Sequence, residues 1–131
     1  MPTATELLVL LANPVADAAE LQEALENCGP ALSTEQSAVA AYLSDGNADQ
    51  AYWAATLIGR DADLAATQQD LLTKLACSDD RSLAARQRAA WALGRSASLS
   101  DSNRLQLRAV DAADDPRLAR LIAAALQRGA G

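Results

Sequence analysis

An alanine doublet recurs along this 131-residue chain at intervals of 34 to 35 residues, and that interval constrains the fold more than any other feature. Ala54-Ala55-Thr56-Leu57-Ile58-Gly59-Arg60 lines up with Ala89-Ala90-Trp91-Ala92-Leu93-Gly94-Arg95 at an offset of 35. Ala123-Ala124 follows 34 residues later, with Leu126-Gln127-Arg128 in the place of Ala92-Leu93-Gly94. Asp45, Asp80 and Asp114 each precede a doublet by nine positions, and Arg86 and Arg120 precede theirs by three. A degenerate first copy puts Ala24 thirty residues before Ala54, with Cys28-Gly29 in the place of Ile58-Gly59. Periods of this length belong to arrays in which each unit is one supersecondary element.

The unit reads as a pair of helices. Ala occurs 32 times and Leu 21 times, whereas Val and Ile together occur six times and Phe is absent. Ala and Leu lead the helix scale, and strands want β-branched and aromatic side chains, so an all-β fold is excluded. Punctuation agrees. Ser33 with Gln36 and Asn47 with Gln50 fit capping boxes, and Asp115-Pro116 places an acceptor at the cap and Pro at the first helical position. Gly29-Pro30 marks a stop, and Gly46, Gly59 and Gly94 are expected to close helices in the left-handed conformation. The spacing predicts eight helices, at 4–12, 17–28, 34–44, 48–59, 64–77, 83–95, 102–112 and 116–128. They pair into four hairpins, over 4–29, 34–60, 64–95 and 102–129, within a single domain spanning 1–131. One hairpin cannot bury both of its apolar faces, so neighbours must stack, with Ala allowing close approach and Leu filling the layer between.

The stretch Arg86-Gln87-Arg88-Ala89-Ala90-Trp91-Ala92-Leu93-Gly94-Arg95 resembles the HEAT-like repeats also seen in phycobilisome-lyase-type proteins. Their pattern has Asp in the joint, Arg early in the second helix, then Ala-Ala-x-Ala-Leu-Gly. The third copy matches it with Asp80, Arg86, Ala89, Ala90, Ala92, Leu93 and Gly94. The second has Ala51 where Arg is expected, and the fourth, with Asp114, Arg120, Ala123 and Ala124, lacks the Gly. The resemblance implies an all-α fold, a short right-handed α-solenoid (α-α superhelix) of about four hairpins. It also implies that Asp45, Asp80 and Asp114 with Arg86 and Arg120 form a structural ladder rather than an active site. A group repeated in every unit is a poor candidate for catalysis. The motif speaks to architecture and leaves activity open.

Tyr42, Tyr52, Trp53 and Trp91 are the only aromatic residues. With the doublet columns facing inward, Trp53 and Trp91 fall off or at the edge of the packed stripe. In such a stack the second helices line the concave surface, the usual binding face. The columns there hold Tyr52, Trp53, Arg60, Gln87, Arg88, Trp91, Arg95 and Leu121, which are the candidate partner-binding residues. Trp, Tyr and Arg are the residue types enriched at binding hot spots. The competing reading has the indoles filling gaps left by abundant Ala. Arg104, Arg108, Arg117, Arg120 and Arg128 are interleaved with Asp101, Asp111, Asp114 and Asp115, and read as a solvated face.

Other chemistry is sparse. There is no His, which excludes histidine acid–base chemistry, His-ligated metal and His-dependent triads. Ser96, Ser98, Ser100 and Ser102 stand outside any G-x-S-x-G turn, and no Gly-rich phosphate loop occurs. Cys28 and Cys77 lack metal-ligand spacing and read as buried small hydrophobes, as free thiols in a reducing cytoplasm do. No metal, cofactor or catalytic residue is expected. The net charge is −6, with eight acids and no bases in residues 1–59 against nine acids and eleven bases in 60–131. This balance argues against nucleic-acid binding, which is driven by neutralising cations. It permits a monomer or a weak, salt-sensitive head-to-tail self-association. The apolar run Leu7–Leu11 has no basic flank and is too short to span a bilayer, so neither signal peptide nor membrane segment is expected. The leading expectation is a non-catalytic module that binds a protein or peptide. The alternatives are a HEAT-like nucleic-acid-binding or DNA glycosylase-related protein and, by family analogy, a lyase-like bilin-handling accessory.

Overall fold

The computed structural model describes Glu23 and residues 36–96, 98–110, 112 and 115–130. Every regular element in them is an α-helix: α1 Gln36–Asp45, α2 Ala48–Gly59, α3 Ala62–Thr67, α4 Gln69–Cys77, α5 Leu83–Gly94, α6 Asp101–Arg108 and α7 Pro116–Ala130. Glu23 is helical, and the rest of the expected helices 4–12 and 17–28 lies outside the described residues.

Local chemistry sets most of the boundaries. Asn47 Oδ1 accepts from the Gln50 amide at 2.8 Å while Gln50 Oε1 accepts from the Asn47 amide at 3.0 Å, which starts α2 with a complete capping box. Ser82 caps α5 by accepting from the Ala85 amide, and Asp115 Oδ1 accepts from the Leu118 amide at 3.0 Å ahead of Pro116. The expected helix 64–77 begins earlier and is broken in two. Asp61 caps its start by accepting from the amides of Asp63 and Leu64. At the break, Thr67 Oγ1 donates to the Asp63 carbonyl and Gln69 Nε2 to the Ala66 carbonyl, so side chains compete with the backbone around Gln68. The expected helix 102–112 stops at Arg108. There the Ala109 and Val110 amides turn back to the carbonyls of Gln106 and Leu107, a tightened last turn.

Packing runs in two rows. α5 lies between α2 and α7, and α4 packs across it from the other row, where α4 touches both α1 and α6. Hemmed in this way, α5 buries Ala85, Arg86, Ala89, Ala90, Ala92 and Leu93. Ala51, Ala54, Ala55, Ala89, Ala90 and Ala92 have no exposed surface, and the volume between helices is filled by Leu43, Leu57, Ile58, Leu72, Leu75, Leu93, Leu107 and Leu118. Each such side chain contributes about 1.5–3 kcal/mol when fully buried. Alanine therefore sets the helix spacing and leucine supplies most of the apolar burial.

Two expectations are corrected. Ala123 and Ala124 are exposed, unlike the two earlier doublets. α7 instead buries Leu118, Ile122 and Ala125, the i, i+4, i+7 stripe of a helix covered on one side only. No described glycine has a positive φ, so none closes a helix in the left-handed conformation. Arg60 and Arg95 follow α2 and α5 in right-handed geometry. Gly59 is needed for space: a Cβ there would run into Trp91 Cζ3, 3.0 Å from Cε3 and 3.1 Å from the Ala92 Cα.

Candidate functional site

The contact between α2 and α5 carries the largest cluster of polar aromatic and cationic groups. Tyr52 projects from α2 and Arg88 and Trp91 from α5, one turn apart on the same face. The Arg88 guanidinium carbon lies 4.8 Å from the Tyr52 ring centroid and 4.7 Å from that of Trp91, and its Nη2 donates to the Tyr52 hydroxyl. Arg95 stands over Trp91 as well, at 5.4 Å, and its Nε donates to the Gly59 carbonyl at 2.8 Å. A cation at the C-terminal end of α2 is also favoured by the helix dipole. Trp53 meets Tyr52 edge-on, with centroids 4.7 Å apart. Each cation–π pair contributes about 0.5–1 kcal/mol when exposed and more when desolvated. The stack therefore holds these side chains in place before anything binds.

Tyr52, Trp91, Leu121 and Ala84 line a depression of about 190 Å³ whose other walls are Gln87, Arg88 and Arg117. Gln87 Nε2 reaches both carboxylate oxygens of Asp115 at 3.4 Å, tying α5 to the cap of α7. Of the eight candidate residues, Tyr52, Gln87, Arg88, Trp91 and Leu121 thus gather in one place, and Arg95 and Trp53 flank them. Arg60 stands exposed at the end of α2, outside the depression. Arg117 and Ala84 are additions. Arg117 belongs with the site rather than with a plain solvated face, and its i, i+4 spacing from Leu121 is the signal that places both on one side of α7.

The expected ladder takes a different form. Arg86 is 9% exposed, and its Nε donates to the Ala76 carbonyl at 3.1 Å. Its ion pair is with Asp79, at 3.5 Å, and not with Asp80, which is exposed. Asp45 and Arg120 are exposed too, and Asp114 lies outside the described residues. Asn47, Ser82 and Asp115, rather than the joint aspartates, cap the second helices. In the terminal segment Arg104 pairs with Asp101 as expected, while Asp111 lies outside the described residues.

A second cavity, of about 620 Å³, is lined by Cys77, Asp79, Arg86, Gln106, Ala109 and Val110. Cys77 is half-buried rather than buried because it ends α4, where the space toward α6 opens. Its thiol lies 3.6 Å from the Gln106 carbonyl. Burial pushes the thiol pKa up, the Arg86 guanidinium pulls it down less strongly, and Asp79 adds a smaller upward push. The thiolate is the nucleophile, so this group is not activated at neutral pH. Cys28 lies outside the described residues.

Among the described residues, no cluster of three or more His, Cys, Asp or Glu side chains could hold a metal ion. No helix among them is long and apolar enough to cross a membrane. Set against known proteins, the chain matches no family model, no curated protein and no solved structure.

Sequence reasoning missed the buried polar link between α4 and α6. Asn103 Nδ2 donates to Gln69 Oε1 at 3.0 Å, Asp70 Oδ1 at 2.9 Å and Ser100 Oγ at 2.8 Å. A lone Asn between Ser and Arg carries no pattern that announces burial.

Proposed function

We propose that this chain is a non-catalytic interaction module, a short right-handed solenoid of HEAT-like hairpins that binds a protein or peptide across α2, α5 and α7. One observation carries the reading: the Tyr52–Arg88–Trp91–Arg95 stack is ordered by its own contacts beside an open depression. Side chains already fixed lose little entropy on binding, and Trp, Tyr and Arg are the types that dominate interface energetics. The row of α2, α5 and α7 and the fully covered doublets at 54–55 and 89–90 support the stacked-hairpin part of the reading. The module acts in the cytoplasm, and the raised pKa of the Cys77 thiol weighs against thiol-based lyase chemistry there.

Panning a random peptide display library on the wild type and on the double variant Tyr52→Ala/Arg88→Ala tests this. The wild type is expected to enrich a related set of sequences that the variant, with its fold checked by circular dichroism, does not retain. Equal enrichment on both proteins, or none on the wild type, would refute it.

A further inference from the structure

We infer that the ligand of this depression is an acidic peptide segment, with carboxylates received by Arg88 and Arg117 and an apolar side chain set against Trp91 and Leu121. This inference rests on the peptide-binding reading and names the ligand's chemistry. Arg88 and Arg117 both line the depression, and no carboxylate does. Neither they nor the adjacent Arg95 form an ion pair among the described residues. Asp115, at the edge, is engaged by the Leu118 amide and by Gln87. The result is a local cationic patch on an acidic protein.

Geometry narrows the ligand further. The Arg88 guanidinium lies over the Tyr52 and Trp91 rings, and its Nη2 donates to a neutral hydroxyl. That leaves edge N–H groups of a planar five-donor fork, which match a carboxylate in bidentate fashion. Arg95 has its Nε committed to the Gly59 carbonyl, so it backs the Trp91 ring and adds positive potential. Arg117 is exposed and lines the same depression from α7, where it is available to a second carboxylate. Trp91, Leu121 and Ala84 add apolar surface to that lining, which suits a segment carrying both acidic and apolar residues. A dense polyanion gains little here, because only two arginines line the depression and the rest of its wall is neutral.

Trp53 and Trp91 are the only tryptophans and both border the site, so their fluorescence reports binding. Three N-acetylated twelve-residue peptides on one Leu/Ala scaffold, carrying four Glu, four Gln or four Lys, are titrated beside a twelve-nucleotide single-stranded DNA. The Glu peptide is expected to bind at least about tenfold more tightly than the others, and more weakly as salt is raised. Arg117→Gln, at an exposed position, should weaken the Glu peptide about five- to thirtyfold and leave any Gln-peptide binding unchanged. Equal affinity for the Glu and Gln peptides, an unaffected Arg117→Gln variant, or tighter DNA binding would overturn the acidic ligand. So would no binding by any of the three peptides. In each case the library experiment decides separately whether the groove binds peptides.

Discussion

Replacing Gly59 by alanine sets two opposing effects against each other at one atom. Gly59 is the last residue of α2 and has ordinary φ, so alanine brings the usual helix-propensity gain of up to about 1 kcal/mol. The added methyl, however, would overlap Trp91 Cζ3 and press on Cε3 at 3.0 Å and on the Ala92 Cα at 3.1 Å. Overpacking of this kind costs about 1–3 kcal/mol, because the indole also contacts the Arg88 and Arg95 guanidinium groups and cannot shift without disturbing them. The expected net effect is a loss of about 1–2 kcal/mol. For a chain of this length that lowers the melting temperature by about 3–8 °C. Gly94 closes α5 at the corresponding position, but a methyl there would meet only Ala125 backbone atoms at 3.8 and 3.9 Å, ordinary contact distances. Gly94→Ala is therefore expected to raise the melting temperature by a few degrees. Thermal unfolding followed by circular dichroism and tryptophan emission compares the two. If both variants stabilise the protein equally, with Trp91 emission unmoved in each, the close approach of α2 to Trp91 is wrong and the site built on it falls.

Three further outcomes follow from the packing. Ala90→Leu should cost about 1–3 kcal/mol in urea unfolding, whereas Ala124→Leu, at an exposed position, should stay within about 0.5 kcal/mol; equal effects would contradict the one-sided burial of α7. Asn103→Ala should lose about 1–3 kcal/mol by removing two hydrogen bonds across the α4–α6 contact and one to the α6 cap Ser100, and an unchanged urea midpoint would show that water replaces them freely. Burial raises the Cys77 thiol above its ordinary value of 9.0, so in a Cys28→Ser background its alkylation by iodoacetamide should accelerate only at a higher pH than in urea. The sign for stability follows: the thiol's contribution is full below the unfolded pKa and is lost as pH rises through the folded one. A native alkylation midpoint at or below that of the unfolded chain would refute the burial assignment.

The helical class and most helix starts could be read from the sequence because they depend on neighbours a few residues apart. Asn47 and Gln50, or Asp115 and Pro116, settle their own geometry within one turn. Five of the eight candidate site residues could be placed together because helical period and repeat offset fix which columns adjoin. What could not be read depends on what covers a surface. Ala123-Ala124 has the same local pattern as Ala89-Ala90, yet among the described residues α5 has helices on both sides and α7 does not. The choice of Asp79 over Asp80 by Arg86 turns on the path of the joint, since both carboxylates are exposed and no local pattern separates them. The break at Gln68 escaped notice because Thr67 and Gln69 are unremarkable in a helix until both return hydrogen bonds to its carbonyls. Gly59 was given a conformational reason when its need was clearance for an indole 32 residues away.

The hydrogen bond from Arg95 to the Gly59 carbonyl carries a mechanical consequence. It bridges the same seam that Tyr52 and Arg88 bridge, so two side-chain hydrogen bonds join α2 to α5 beside the depression. If a molecule held to Tyr52 and Arg88 together, opening the seam would cost it those contacts. Occupancy at a hundred times the dissociation constant would add about 2.7 kcal/mol to the joint. Resistance to pulling or heating along this one junction would then gauge how full the groove is.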